Sequence, residues 1–477
     1  MNEYKIYYFD AEHGNDQNDG NEKTPFQTLQ KAAQIATTHK SGNPVKIRFR
    51  GGCLFEGELI LRYESVDGVP FVVESYGDGQ AKFVGETSCI TTTNGNVRIQ
   101  NLELTNPNGI YGIHVLSSEV GACKNIEIYD CYIHDVNFRW SFPKSPRETA
   151  PEGLDVASVT PNEVYTHGKG GIIFENDTPK ELGASWFDNV RVCGNRLERV
   201  SRTGMYINNK WSYRVGTPWG YNAYVDDNTN WYPHFHFYIA DNLLEYTGGD
   251  GIVLTACLHT VIERNKVFHA NYLGRSGYFN AGIWPHSSKH VIIRENEVGY
   301  THLDNGAGDG EGFDIDIGCS DITIRDNFSH HNAGGGLLIC NNATPLIRYN
   351  VDGTYKTDKD GNPLTEIIAP YWGRNSVFGN LFVYNGGKEK PAFISLARQC
   401  DDFYAHHNTV VLNPEMTGQP IIFMESENVV SSRHLYENNA FYSETDTGAY
   451  FMLEWLKQST FKNNLYFNVK KPKEEED

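Results

Sequence analysis

Apolar and polar residues alternate in short runs along this chain, and in its second half one such run keeps returning with an asparagine at its end. The copies IADN, IERN, IREN, IRDN, LIRYN, VFGN, AHHN, YENN and FKNN close on Asn242, Asn265, Asn296, Asn327, Asn350, Asn380, Asn408, Asn439 and Asn464. Neighbouring copies lie 23, 31, 31, 23, 30, 28, 31 and 25 residues apart. The period within a copy is two, which predicts a strand and not a helix. One short strand cannot bury its own inner face, so copies at this spacing must stack. The pattern predicts an all-β fold, a right-handed parallel β-helix, with the asparagines laddered at one corner of successive coils.

A second strand phrase alternates with the first and begins at glycine. Its copies are GIIFEN from Gly171, GMYINN from Gly204, GIVLTA from Gly251, GIWPHS from Gly282, GFDIDI from Gly312 and GLLICN from Gly336. Stacking them by the glycine gives two apolar columns. Ile172, Met205, Ile252, Ile283, Phe313 and Leu337 form one, and Phe174, Ile207, Leu254, Pro285, Ile315 and Ile339 the other. Both columns face the core, so the alternate positions face outward.

The chain start adds a different element. After the strand KIYYF at residues 5–9 and a turn-rich run, Thr24-Pro25 opens a helical stretch with Thr24 as its cap. Phe26, Leu29, Ala32, Ala33 and Ile35 give that helix one apolar side. It would plug an end of the solenoid that otherwise exposes core and a free strand edge. A solenoid lengthens without widening its core, so the expectation is one β-helix domain over 1–468 with an N-terminal cap at about 5–40. Long inserted loops are expected at 136–168, 209–235 and 352–370. The first two are rich in aromatic residues, which argues against disorder. The charged tail 469–477 is expected to fray.

Charge and composition then narrow the partners. A net charge of -19 argues against nucleic acid and anionic membrane surfaces, which demand a basic face. No run of 18 apolar residues spans a membrane. The first residues lack a secretory signal, which implies a cytoplasmic protein, or a secreted or periplasmic one whose signal has been removed. Nine cysteines in no paired spacing fit a reducing compartment.

The outward columns hold the chemistry. The first contains Ile173, Tyr206, Val253, Trp284, Asp314 and Leu338; the next contains Glu175, Asn208, Thr255, His286, Asp316 and Cys340. The column before the glycine contains Asp250, Ala281 and Glu311. With rungs about 4.8 Å apart and same-face residues about 6.6 Å apart along a strand, Asp250, Glu311, Asp314 and Asp316 converge on one outer patch. Two carboxylates roughly 5 to 9.5 Å apart are the working parts of a glycosidase. Their mutual repulsion raises the proton affinity of one of them, which supplies a donor at neutral pH. A lone outward acid merely solubilises a sheet; three within six residues beside Trp284, His286 and Asp250 point to a site. Asp314 and Asp250 are the expected catalytic pair, with Glu311 or Asp316 as the alternative partner. Glu175, Tyr206, Asn208, Trp284 and His286 are the expected substrate-binding residues.

Two other readings stay open. The same carboxylates could hold Ca²⁺ in a polysaccharide lyase, with Lys210, Lys289 or Arg275 as base. A glycan-binding solenoid would bind sugar and cleave nothing. His302, Asp304 and Asp309 lead into Glu311 and could line the cleft, while DNGAGDGEG lacks the spacing of a helix–loop–helix calcium site.

The opening segment, the asparagine ladder and the strand GFDIDIG together resemble the pectin-lyase-like β-helix superfamily of carbohydrate-active enzymes. The resemblance covers roughly residues 5–465 and implies that the first helix plugs the solenoid. It also implies activity on glycans, since the superfamily contains glycoside hydrolases, polysaccharide lyases and uronate epimerases. In its hydrolases an acidic pair sits on adjacent rungs of one sheet, as Asp250 and the Glu311, Asp314 and Asp316 group do in kind. The polygalacturonase pattern N-T-D, D-D, H-G, R-I-K and the epimerase motif D-P-H-[DE] are absent from the chain. The expected function is therefore a glycoside hydrolase without a cofactor, the aromatic loops walling its groove into a pocket.

Overall fold

The computed structural model describes residues 3–39, 43–64, 68–137, 168–179, 181–211, 231–273, 279–303, 308–340, 346–347, 357–362, 365–366, 373–387, 390–397, 400–424, 431–453, 456–473 and 475. Most of each expected loop, 138–167, 212–230 and much of 348–372, lies outside the described residues. The chain is a right-handed parallel β-helix whose residues divide into two compact units, 1–208 with 235–249 and 209–234 with 250–477. No described helix is long and apolar enough to cross a membrane.

In the first unit the strand Lys5–Phe9 pairs in parallel with Val45–Arg50 and starts a sheet that continues through Phe71–Tyr76, Val97–Gln100, Gly121–Tyr129 and Ser185–Cys193. Two further parallel sheets complete each coil. One includes Tyr111–Ser117, Gly170–Asn176 and Thr203–Ile207; the other includes Tyr132–Val136, Arg196–Val200 and Leu243–Thr247. The helix runs over Leu29–Thr38 and starts later than the sequence suggests. Its cap is Thr28, whose Oγ1 accepts the Lys31 N–H at 3.1 Å. Thr24 to Phe26 are instead extended, because the Phe26 N–H donates to Tyr8 O and its carbonyl accepts the Asp10 N–H.

In the second unit the same three-sheet coil repeats. One rung in full is Ile283–His286, Lys289–Arg294 and Glu297–Gly299, each strand in a different sheet. The turn between the last two needs Glu295 in the left-handed conformation, φ 57°, followed by Asn296. That turn recurs at Arg264, Asp326, Gly379, His407, Asn438 and Asn463, each one residue before a ladder asparagine. The asparagine makes the turn affordable by saturating buried backbone groups. Asn296 Oδ1 accepts the N–H and Nδ2–H of Asn265 at 2.9 and 3.0 Å, and Asn296 Nδ2 donates to Arg294 O and Ile262 O.

The ladder of this unit runs Asn265, Asn296, Asn327, Asn380, Asn408, Asn439, Asn464. It omits Asn350, contrary to expectation. The Asn327 N–H donates directly to Asn380 Oδ1 at 2.9 Å, so one rung, Phe328–His330, Gly335–Ile339 and Gly373–Phe378, joins them, and the stretch between Ile339 and Gly373, with Asn350 outside the described residues, is an insertion in that rung. Residues 346–347 pair antiparallel with 365–366 inside that insertion. A second ladder, unanticipated, joins the Thr301 N–H to Asn332 and the Asn332 N–H to Asn385. The first unit holds its own part of the pattern, Asn195 to Asn242.

The tail also departs from expectation. Glu475 takes the place of a further asparagine: it accepts the Asn464 N–H at 3.0 Å and the Tyr466 O–H. A carboxylate can do this because the last asparagine of a ladder has donors left over, and no further rung supplies the acceptor.

Candidate active site

The glycine-led register holds within each unit. In the first, Ile172 lies beside Met205 and Ile173 beside Tyr206. In the second, Ile252 pairs with Ile283, Ile283 with Phe313 and Phe313 with Leu337. The glycines are there because the chain turns into this sheet against its neighbour. A Cβ at Gly251 would sit 2.6 Å from Val267 Cγ1, and one at Gly282 2.4 Å from Val298 Cγ1. Glycine and the next residue both face inward, which breaks the alternation and turns the residue before glycine outward. Asp250 and Glu311 therefore share a face with Trp284 and Asp314, although parity along a regular strand would oppose them.

The contacts of Asp250 bear this out. Its Oδ1 accepts Trp284 Nε1–H at 2.8 Å and the Ala281 N–H at 3.1 Å. The pairings place Thr255 beside His286, and the register at Ile283 and Phe313 carries Trp284 to Asp314 and His286 to Asp316. Asp316 continues the strand by donating its N–H to Pro285 O at 3.2 Å. Glu311 meets Lys390, whose Nζ stands 3.9 Å from Oε1. The second unit thus brings together Asp250, Trp284, His286, Glu311, Asp314 and Asp316, with Asp309 from the segment leading into Glu311 beside them and Lys390 as an addition.

Solvent divides the acids in a way the sequence does not suggest. The acids were expected on an outer patch of the solenoid, yet Asp250 and Glu311 have no exposure and Asp314 has 4%. Trp284 and His286 are buried too. The outward column is itself apolar at Val253, Trp284 and Leu338, so shielding it is favourable even with acids among them. Asp309 and Asp316 alone of the five are half-buried and keep solvent contact. Asp309 sits in the left-handed region, φ 63°, on a two-residue strand beside Asn280.

Burial pushes the Asp314 carboxyl well above the usual carboxylate range, and the charges of Asp316, Asp309, Glu311 and Asp250 push it the same way. Among the described residues its Oδ1 accepts no hydrogen bond, as suits a neutral group. A consequence for stability follows with a definite sign. A carboxyl whose proton affinity is higher folded than unfolded stabilises fully below the ordinary carboxylate range. That contribution is lost as pH rises through the folded-state value. Asp314→Asn should therefore flatten the alkaline side of the curve of melting temperature against pH. Parallel curves for variant and wild type would show that Asp314 holds no such proton.

The remaining expected residues lie in the first unit. His114 Nε2 stands 3.2 Å from Glu175 Oε2, with the imidazole stacked on Tyr111 at 4.2 Å. The Tyr206 O–H donates to Asn208 Oδ1 at 3.1 Å. Of the bases considered for a lyase, Lys289 lies in another sheet and faces Asp321 at 3.9 Å, and Arg275 falls outside the described residues. Among the described residues no group of three or more His, Cys, Asp or Glu side chains is arranged to hold a metal ion.

The family model for a right-handed β-helix region matches residues 212–351. No protein with a curated description matches the chain. Among solved structures, the native GH136 lacto-N-biosidase from Eubacterium ramulus is 19% identical, with a TM-score of 0.64 over 97% of this chain and 68% of that one. Its selenomethionine derivative gives 20% and 0.62 over the same shares. A DFA-IIIase from Arthrobacter chlorophenolicus A6, in complex with GF2, is 11% identical with a TM-score of 0.49 over 96% of this chain and 94% of that one. At such identity the likeness to the two lacto-N-biosidase structures establishes the fold alone, a right-handed parallel β-helix.

Proposed function

We propose that this chain is a glycoside hydrolase acting on an oligosaccharide or complex glycan, with Asp316 and Asp309 as its reacting carboxylates. The observation that carries this reading is that Asp309, Asp316, Asp250 and Glu311 gather about Asp314, and that of these five acids only Asp309 and Asp316 keep solvent contact. A group that attacks or protonates a sugar must be reached by it. Two ionisable carboxylates flanking a bond, one giving a proton and the other acting as base or nucleophile, are what glycosidic cleavage needs. Asp250 is occupied by Trp284 and Ala281, and serves to fix the indole. Trp284 and His286 stand one rung from Asp314 and Asp316 and, being buried, would back the acids instead of lining the open surface. The structural neighbour from Eubacterium ramulus is a lacto-N-biosidase, which favours oligosaccharides as the substrate class.

The neutral state of Asp314 favours a second version, in which Asp314 itself donates the proton to the leaving oxygen. Leaving-group dependence separates the two. The variant that has lost the acid should fail on poor leaving groups, yet retain turnover of an aryl glycoside with an acidic phenol. That behaviour is expected of Asp309→Asn, while Asp314→Asn should lose activity evenly on both substrate types. The opposite result assigns the acid to Asp314.

A further inference from the structure

The outward column before the glycines alternates acid and small residue: Asp250, Ala281, Glu311, Gly335. Glu311 lies directly beside Gly335 in the sheet. A Cβ at Gly335 would meet Pro391 O at 3.0 Å and Glu311 Cγ at 3.4 Å. Gly335, with φ 136°, leaves a gap on its own rung, and the turn before the next strand, Ile394–Leu396, closes over it. That turn is anchored by the Gly386 N–H on Asn332 O at 2.8 Å and by reciprocal backbone bonds between Gly387 and Lys390 at 3.2 Å. Across the gap the Lys390 ammonium approaches Glu311 to 3.9 Å, although Glu311 is wholly buried and Lys390 is not.

A buried carboxylate remains ionised only when a cation or strong donors compensate for lost hydration. Lys390 supplies that cation, and an ionised Glu311 is one of the charges acting on Asp314. The groups facing Asp314 are Glu311 and Asp316 on its own strand, Asp309 on the short strand before it, and Asp250, Trp284 and His286 from the preceding rungs. Leu338, beside it on the following rung, carries no charge, and neither does the thiol of Cys340 there while protonated.

We propose that Lys390 is a positioning residue of the acid cluster: reaching across Gly335 to pair with Glu311, it holds that buried side chain as a fixed charge beside Asp314. The effect on rate rests on the hydrolase reading, whereas the proton on Asp314 belongs to the substrate-free protein. Two readouts separate these.

In Lys390→Met, Glu311 should take up a proton and Asp314 should lose one neighbouring negative charge. The basic limb of kcat/KM is then expected to move to lower pH by about one unit, the effect of one charge several ångströms away. The infrared carbonyl band of a protonated carboxyl, assigned by its loss in Asp314→Asn, should disappear at correspondingly lower pH. Lys390→Arg should restore both. Glu311→Gln should reproduce the shift, and adding Lys390→Met to it should change nothing more. If Lys390→Met does not fold, Lys390→Gln is measured in its place, and Glu311→Gln, which leaves no buried charge behind, sets the size of shift expected from losing the Glu311 charge. Limb and band at wild-type positions in these variants overturn the proposal. If the wild type cleaves nothing, the hydrolase reading falls and the infrared titration still judges Lys390.

Discussion

Asp316→Asn should lower kcat/KM on the cleaved glycan by about 10³-fold or more, with binding and fold retained. Asp316 follows directly on the strand Glu311–Ile315 and is fixed by backbone bonds on both sides. Its N–H donates to Pro285 O, and its carbonyl accepts the Cys319 N–H at 3.3 Å. Asparagine keeps the shape and the backbone bonds, and removes only the charge and the nucleophilic oxygen. It also removes one of the charges that raise the proton affinity of Asp314, so the residual activity should have an altered pH profile. Initial rates across pH, with a melting curve to confirm folding, check this. A loss under tenfold would mean that Asp316 lines the site without reacting.

Asn327→Ala should be the costliest single change in the solenoid, about 3–5 kcal/mol. The side chain is 3% exposed and serves two neighbouring rungs at once. Its Oδ1 accepts the N–H and Nδ2–H of Asn296, and its Nδ2 donates to Ile293 O and Asn380 Oδ1. Alanine strands several of these buried groups, each worth about 1–3 kcal/mol when unsatisfied. The expected result is a lowered urea midpoint at unchanged slope. A change below about 1 kcal/mol would show that water or local shift replaces the ladder at that rung.

What the sequence revealed, and what it hid, divides along physical lines. Period-two runs and spacing revealed the coils, because each strand must stack to bury its inner face. Glycine gave the register, since Gly251 and Gly282 mark where backbone closes on Val267 and Val298. The same feature placed Asp250 and Glu311 on the outer face. Asn195 escaped notice because it lies 47 residues from Asn242, well outside the 23 to 31 that separates the other copies. Asn350 carries the lead, yet the insertion that contains it is bypassed by the Asn327 to Asn380 bond.

The helix start was misread because Phe26 looks like the first residue of an apolar helical side. Its backbone bonds to the first strand outweigh that periodicity. Burial of the acids was illegible, since an outward column says nothing about what lies over it. Lys390 was equally hidden: its reach to Glu311 depends on a missing side chain at Gly335, one rung away. The tail looked like a solvated charge run, and nothing in KKPKEEED signals that Glu475 completes a ladder.

The hydrolase reading is tested most directly by incubating the protein with a panel of neutral and acidic oligosaccharides and following the new ends. Hydrolysis predicts that reducing ends appear without the ultraviolet absorbance of an unsaturated sugar. Asp316→Asn, assayed in parallel, should release almost none. Unsaturated products, intact oligosaccharides after prolonged incubation, or equal release by the Asp316 variant would each contradict it.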